Sequence, residues 1–164
     1  MNKSNYINLA KKAANIQIKE LKKINKVFNK SFIKAIDLIL NCKGKVIFAG
    51  VGKSGIIARK VSATFSSVGI PSFFCDPAQA LHGDMGQLEK KDVLIIFSYS
   101  GNTAELTNML KYANRYRIKI IGVASKSDSI LLKASDVKLQ LPKVKEADLT
   151  GMVPTSSTSI SLLL

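Results

Sequence analysis

Two apolar runs in this chain each lead directly into a short loop of small and hydroxyl-bearing residues. Residues 46–49 precede the loop Gly50-Val51-Gly52-Lys53-Ser54-Gly55, and residues 93–97 precede the loop Ser98-Tyr99-Ser100-Gly101-Asn102-Thr103. A short run of β-branched and aromatic residues is typical of a buried parallel strand. A Gly- and Ser-rich loop between such a strand and a helix presents N–H groups and hydroxyls to an anion. The two loops together predict one phosphorylated ligand at the carboxyl ends of neighbouring strands.

Strand-like and helical segments alternate along most of the chain. A helix or helix pair over about 6–41 is expected to end near Gly44, since glycine often follows the last residue of a helix. Five strands are predicted, at 45–49, 72–75, 93–97, 119–124 and 137–141. Helices are predicted over about 54–67, 103–116 and 130–134, with a mixed segment at 76–86 and a last helix that begins near Thr155. This order predicts an α/β fold, a doubly wound parallel sheet of about five strands flanked by helices.

Length and composition limit the remaining choices. A chain of 164 residues that is 46% hydrophobic can bury one core, so we expect a single domain over 1–164, with a helical segment at 1–44 and an α/β core at 45–164. No apolar run approaches the ~18 residues of a membrane span, so no membrane partner is expected. Cys42 and Cys75 are typical of free thiols in a reducing cytoplasm. The apolar end at 160–164 predicts a domain that is incomplete at its C-terminus.

The chain is strongly basic, with a net charge of +14, of which residues 1–45 carry +9. Most lysines of that segment lie off an apolar pattern with three- and four-residue steps, which predicts an amphipathic helix with a solvated basic face. The apolar pattern is formed by Leu21, Ile24, Phe28, Phe32, Ile36 and Ile39. No helix-turn-helix and no arginine-rich stretch with interleaved aromatics is present, so we expect no nucleic-acid partner. The charge favours a mild attraction for anionic metabolites.

The first loop also fits a different class of ligand. Gly50, Gly52 and Gly55 match the dinucleotide-binding fingerprint, and Asp76 lies about twenty residues on, where that fingerprint places a ribose-binding acid. Lys53 inside the turn suits a compact phosphate better, and a dinucleotide site gives the second loop no role. An NAD-binding oxidoreductase and a purely structural turn stay open as alternatives. A P-loop is excluded because Ile47 stands where its first glycine is required.

Three further residues are candidates for acid–base chemistry. His82 is the only histidine, in a loop after the second strand, Glu105 lies one turn into the helix predicted after the second loop, and Glu146 follows the fifth strand. Each also has a structural interpretation. His82 is then a hydrogen-bonding histidine, Glu105 is a carboxylate that complements a helix N-terminus, and Glu146 is part of a solvated charge cluster. The pattern alone leaves both interpretations open.

Taken in order, these motifs resemble the SIS (sugar isomerase) domain, and more narrowly the D-arabinose 5-phosphate isomerase family. The resemblance rests on the two loops, on the stretch from Ser72 through His82-Gly83-Asp84, and on Lys145-Glu146-Ala147 followed by 154–158. It implies a flavodoxin-like three-layer sandwich that interconverts D-arabinose 5-phosphate and D-ribulose 5-phosphate through an enediol, for synthesis of the lipopolysaccharide or capsule sugar Kdo. It implies a pentose 5-phosphate as ligand, no cofactor, and a homo-oligomer (dimer or tetramer) in which loops of one subunit complete another's site. Many members continue into CBS modules, so the resemblance predicts that the sequence is truncated before them.

The resemblance also implies site residues. Its catalytic lysine and two glutamates correspond to Lys53, Glu105 and Glu146, and its substrate-loop histidine corresponds to His82. The choice of base among His82, Glu105 and Glu146 stays open. Asp76 stands where relatives often have a zinc-associated histidine, which makes it a candidate ligand of an inhibitory zinc. A non-catalytic sugar-phosphate-binding module, or a truncated and inactive remnant, is the alternative function. The expected phosphate- and substrate-binding residues are Gly52, Ser54, Ser98, Ser100, Asn102, Thr103, Thr155 and Ser156.

Overall fold

The computed structural model describes residues 3–164 and contains one all-parallel sheet of five strands. The strands are β1 (Val46–Gly50), β2 (Ser72–Cys75), β3 (Val93–Phe97), β4 (Lys119–Ala124) and β5 (Val137–Gln140). Every residue of β1 and β3 is buried, as expected for strands with helices on both faces. The predicted five-stranded parallel sheet is therefore confirmed, with strand boundaries that differ from the prediction by at most one residue.

Helices cover both faces of this sheet. They are α1 (Lys3–Leu21), α2 (Lys30–Leu40), α3 (Gly52–Ser67), α4 (Pro77–Ala80), α5 (Leu106–Arg115), α6 (Ile130–Ala134) and α7 (Ser156–Leu163), with 3-10 turns at Lys22–Lys26 and Asp84–Gln87. Because side chains alternate between the faces of a strand, Ile47 and Ala49 pack in one core with α4, α5 and α6. Val46 and Phe48 pack in the other core with residues of the N-terminal segment, α3 and α7. The result is the predicted three-layer sandwich.

The order of the strands across the sheet is β2-β1-β3-β4-β5. This is the flavodoxin-like order, and it differs from the 3-2-1-4-5-6 order of dinucleotide-binding folds. The chain leaves β1 toward β2 and then crosses back to β3, so the connections after β1 and β3 run to opposite sides of the sheet. Ligands of open α/β sheets bind in the crevice that such a switch opens at the carboxyl ends of the strands. The two loops found in the sequence lie on either side of it.

The N-terminal region is a pair of helices, as predicted, but its apolar pattern does not form one continuous face. α1 ends at Leu21, and the side chain of Asn29 begins α2 by accepting a hydrogen bond from the Ser31 N–H (2.8 Å). A pattern of three- and four-residue steps describes one face only along an uninterrupted helix. Phe28 lies within the break and is 49% exposed, and Ile36 of α2 is 39% exposed, so the predicted apolar face is not buried at these two residues.

The structure also bears on two further predictions, one about membrane-spanning segments and one about the cysteines. Within residues 3–164, no helix combines the length and the apolar character that a membrane crossing requires. Cys42 and Cys75 are both free thiols, as expected, with Cys42 half-buried and Cys75 buried.

Candidate active site

A pocket of about 410 Å³ opens at the switch between β1 and β3. Three segments form its walls: the loop after β1, the loop after β3, and the segment from Glu146 into α7. Six predicted site residues lie in its lining, which consists of Val51, Lys53, Ser54, Ser98, Tyr99, Ser100, Thr103, Glu146, Pro154, Ser157 and Thr158. Hydroxyls, one lysine and one carboxylate therefore share a single cavity.

The first wall owes its shape to glycines. A Cβ on Gly55 would lie 2.6 Å from the Gly50 carbonyl oxygen, and one on Gly50 would lie 2.9 Å from the Phe97 carbonyl oxygen. Only glycine permits these approaches, so α3 can begin directly at the end of β1. Gly52 has φ of +58°, a conformation that favours glycine. The first N–H groups of a helix have no partner within it, and the start of α3 therefore offers an anion free donors beside Lys53 and Ser54.

The second wall is a compact turn that its own polar groups hold together. Gly101 has φ of +70°, and its N–H donates to the Ser98 carbonyl oxygen (2.9 Å). The hydroxyls of Ser98 and Thr103 lie 2.8 Å apart, and the Asn102 N–H donates to the Ser100 hydroxyl (3.3 Å). The turn continues to Glu105, so α5 begins three residues later than predicted. Ser98 is buried, whereas Ser100 is exposed and available to a ligand.

The third wall holds a carboxylate against the start of α7. Oε2 of Glu146 accepts hydrogen bonds from the Thr155 N–H (2.7 Å), the Thr155 hydroxyl (2.9 Å) and the Ser157 N–H (3.3 Å). Burial raises the pKa of Glu146, but the hydrogen bonds from Ser157 and Thr155 outweigh it and leave the pKa below its ordinary value of 4.5. Glu146 is therefore ionised at neutral pH, which suits a proton acceptor rather than a donor.

Tyr99 is a lining residue that the sequence analysis did not select. Its hydroxyl donates to the Pro142 carbonyl oxygen (3.2 Å) and accepts from the Val144 N–H (2.9 Å), so it joins the second wall to the segment before Glu146. Burial raises the pKa of Tyr99, and the hydroxyl remains a donor at neutral pH. The sequence signal for Tyr99 is its place between Ser98 and Ser100, in a loop that is predicted to bind a ligand. Ser157 and Thr158 were also missed as lining residues.

Several predicted site residues lie outside the pocket lining. His82 and Glu105 are exposed, the first in the turn after α4 and the second just before α5. The side chain of Asn102 anchors its loop to α6, because its Oδ1 accepts from the Ile130 N–H (2.9 Å). The Thr155 hydroxyl is engaged with Glu146 and Ala147. Ser156 is fully buried, so it cannot contact a ligand in this conformation.

Gly52 and Asp76 also remain outside the lining. Gly52 offers its backbone at the start of α3 rather than a wall of the pocket. Asp76 begins α4, where its Oδ1 accepts a hydrogen bond from the Ala78 N–H (2.9 Å). This structural role of the carboxylate competes with both predicted roles, that of a zinc ligand and that of a ribose-binding acid. Over the described part of the chain, no group of three or more His, Cys, Asp or Glu residues is placed to hold a metal ion.

Comparison with known proteins agrees with this geometry. The model of the SIS domain matches residues 39–164. Arabinose 5-phosphate isomerase KdsD of Pseudomonas aeruginosa is 44% identical over 133 residues, which cover 81% of this chain and 41% of that protein. The enzyme of the same name from Escherichia coli K12 is 40% identical over 144 residues, which cover 88% of this chain and 44% of that protein.

A solved structure supports the same relationship. An Escherichia coli CFT073 protein in complex with arabinose 5-phosphate superposes with a TM-score of 0.94 at 37% identity, over 99% of this chain and 87% of that one. The chain spans about half the length of the curated relatives it matches. The family model covers most of the chain, and the resemblance found in the motifs is thereby confirmed: the chain belongs to the SIS domain family.

Proposed function

We propose that this chain is an aldose–ketose isomerase that interconverts D-arabinose 5-phosphate and D-ribulose 5-phosphate. The observation that carries the proposal is the pocket itself, in which phosphate-binding loops, Lys53 and the ionised Glu146 face one cavity. Relatives at about 40% identity are named arabinose 5-phosphate isomerases, and a structural relative was solved with arabinose 5-phosphate. Aldose–ketose exchange needs an anchored phosphate, a base and a group that stabilises an oxyanion, and the pocket has a residue for each.

The phosphate is anchored at the switch between β1 and β3. The hydroxyls of Ser54, Ser100 and Thr103 and the free N–H groups at the start of α3 act as its donors, with Ser98 holding Thr103 in place. The partial positive charge at a helix N-terminus favours the dianion. This anchoring fixes the far end of an open-chain pentose and leaves C1 and C2 near the opposite wall, where Glu146 lies.

The chemical step is a proton transfer between adjacent carbons. Glu146 takes the proton from C2 of the open-chain aldose, the electrons of that C–H bond form the C1–C2 double bond, and the C1 carbonyl oxygen becomes an enediolate oxygen. Lys53 stabilises the negative charge on that oxygen. Return of the proton to C1, with proton exchange between O2 and O1, gives the ketose. No oxidant or reductant is consumed, because the aldehyde is reduced as C2 is oxidised.

The exposed position of His82 suggests how the site is completed. We place His82 in the site of a second copy of the chain, in a homo-oligomer, where it assists ring opening or the transfer of hydroxyl protons. Mixing a Lys53→Met variant with a His82→Ala variant tests this arrangement: each is expected to be inactive alone, and mixed oligomers are expected to regain part of the activity. Mixing that restores nothing, while each variant remains oligomeric, would contradict a shared site.

A sugar-phosphate-binding module without turnover is the second candidate function. It is favoured by the exposure of His82 and Glu105, two of the four predicted catalytic residues, outside the pocket lining. Such a module requires the hydroxyl-rich loops but no base. The two functions differ in a simple assay, because only the isomerase converts the sugar phosphate.

Ligand-induced stabilisation tests the binding half of the proposal. D-arabinose 5-phosphate at a hundredfold excess over its dissociation constant should stabilise the native state by about 2.7 kcal/mol and raise Tm, whereas NAD should leave Tm unchanged. Ser100→Ala should weaken binding by about 1–2 kcal/mol with little effect on Tm of the free protein. Ser67→Ala, at the far end of α3, is the matched control. A shift with NAD and none with the pentose phosphate would overturn the proposal.

A further inference from the structure

Glu20 is a buried acid whose position the fold alone does not explain. It is 6% exposed and lies in the last turn of α1. A carboxylate near the C-terminus of a helix is disfavoured by the helix dipole, and its one local partner is Lys23, three residues on. Residues 1–45 contain eleven lysines and only two acids, of which Glu20 is one. One of its contacts lies 125 residues away, at Lys145.

Those contacts hold the segment that leads into Glu146. Oε2 of Glu20 accepts from the Lys145 N–H (2.9 Å) and is paired with Lys23, whose ammonium group also donates to the Lys143 carbonyl oxygen (3.3 Å). The ammonium of Lys23 and the Lys145 N–H lower the pKa of Glu20, so it is ionised at neutral pH. Charged acceptors make stronger hydrogen bonds than neutral ones, which suits a contact that has to hold a loop.

Tyr99 holds the same segment through further contacts. Its hydroxyl engages the Pro142 carbonyl oxygen and the Val144 N–H. Each residue from 142 to 145 therefore has a backbone group bound by a side chain from a distant element, although the segment has no regular secondary structure. α1 also reaches the other end of the Glu146 region, because the Ser159 hydroxyl of α7 donates to Oε1 of Gln17 (3.0 Å).

From this arrangement we infer that Glu20 and Tyr99 are positioning residues for Glu146, which act as a clamp on residues 142–145 and fix where its carboxylate meets the substrate. The inference rests on the proposed isomerase function. Neither side chain takes part in proton transfer. A base must lie within hydrogen-bond reach of the proton that it removes, and a displacement of about 1 Å can cost on the order of a hundredfold in rate.

Kinetics of Glu20 variants test the clamp. Glu20→Ala should lower kcat at least about tenfold and leave KM within about twofold, since the phosphate loops are untouched. Glu20→Gln keeps an oxygen for the Lys145 N–H and should restore kcat to within about threefold of the wild type. Tyr99→Phe, which keeps the ring and removes the hydroxyl, should show the same split between kcat and KM even if Glu20→Ala does not fold.

Asp92→Ala is the matched control. Asp92 is also a buried acid, and it accepts two backbone hydrogen bonds, from the Lys45 N–H (2.7 Å) and the Glu89 N–H (2.8 Å), at the opposite end of the sheet. The Asp92→Ala variant should have a lower Tm, but its kcat should be unchanged at a temperature where the protein is folded. Unchanged kcat in folded Glu20→Ala and in Tyr99→Phe would overturn the inference, as would an equal loss of kcat in Asp92→Ala.

Hydrogen exchange separates failure of the clamp from failure of the proposed function. If the wild type binds but does not convert the sugar phosphate, the isomerase proposal fails and catalytic positioning fails with it. Exchange of the backbone amides at 143–146 then decides whether the contacts hold the segment at all. Faster exchange confined to this segment in Glu20→Ala supports the clamp as a structural device, and unchanged exchange there overturns it.

Discussion

Glu146 is the residue on which the proposed chemistry depends most. Its carboxylate is ionised and faces the pocket, and its three hydrogen bonds all reach one oxygen. Glu146→Gln keeps an oxygen for Thr155 and Ser157 but removes the proton acceptor. We expect Tm to change little, binding of the pentose phosphate to persist, and kcat to fall at least about a hundredfold, the low end of what one acid–base group contributes. Steady-state kinetics beside a binding isotherm measure both effects.

Glu89→Gln provides the control for this substitution. It removes the same charge from an exposed glutamate paired with Lys45 and Lys91, away from the pocket. It should leave kcat and KM near their wild-type values. A turnover that survives Glu146→Gln would assign the base to another residue, with Glu105 and His82 as the candidates.

The junction of β1 with α3 is the structural element that places the proposed phosphate site. Gly55→Ala puts a methyl group 2.6 Å from the Gly50 carbonyl oxygen, which forces the helix away from the strand. We expect a loss of about 1–3 kcal/mol in the free energy of unfolding, typical of overpacking, together with weaker phosphate binding. Chemical denaturation and a binding isotherm measure the two.

Gly86→Ala is the comparison for this element. A Cβ at Gly86 meets no atom within 4 Å, so its free energy of unfolding should be close to that of the wild type. If Gly55→Ala were as stable as Gly86→Ala and bound the ligand equally well, the close approach would not be what positions the first wall.

Most elements could be predicted from the sequence because their signals are local. Buried parallel strands are continuous runs of β-branched and aromatic residues, and β2, β3 and β4 lie where that pattern predicts them. The helix α6 also has its predicted bounds. The strand order is not local, since it depends on which way each crossover turns, and only the resemblance to a known family implied it. The helix pair at the N-terminus was one of two predicted possibilities, but the position of the break between α1 and α2 was not predicted, because the apolar pattern continues on both sides of it.

Part of the pocket could be predicted from the sequence, because two of its walls also have local signals. The two loops follow strands that pair in the sheet, so Lys53, Ser54, Ser98, Ser100 and Thr103 come together as expected. Glu146 joins them through the family motif rather than through any pattern of its own. The contact of Glu20 with Lys145 joins residues 125 positions apart, and no periodicity or motif in the sequence indicates it.

The whole molecule should lose stability in acid. The ammonium of Lys23 and the Lys145 N–H hold the pKa of Glu20 below 4.5. Burial raises the pKa of Glu146, but its hydrogen bonds with Ser157 and Thr155 outweigh burial and leave the value below 4.5 as well. Burial raises the pKa of Asp136, but Lys119 and the Ile120 N–H outweigh it and leave the value below 3.8. A carboxylate with a lowered folded-state pKa stabilises the fold above its unfolded pKa, and this contribution is lost as pH falls through the folded value.

Stability measured against pH checks this expectation. These three groups should contribute a constant amount between about pH 6 and 8, and their contribution should decline below about pH 4.5. The decline should be smaller in Glu20→Gln, which has no carboxylate to protonate at that position. A decline that begins near neutral pH, unchanged in Glu20→Gln, would show that other groups control acid unfolding.

Proton exchange during turnover tests the central claim most directly. The protein is incubated with D-arabinose 5-phosphate in deuterated water and followed by proton NMR. An enediol formed by a base in the pocket predicts that the C2 proton signal of the aldose is lost and that D-ribulose 5-phosphate appears with deuterium at C1. Glu146→Gln should show neither change at the same protein concentration. A wild-type protein that binds the sugar phosphate, yet leaves the C2 proton signal at full intensity and forms no ketose, would contradict the account.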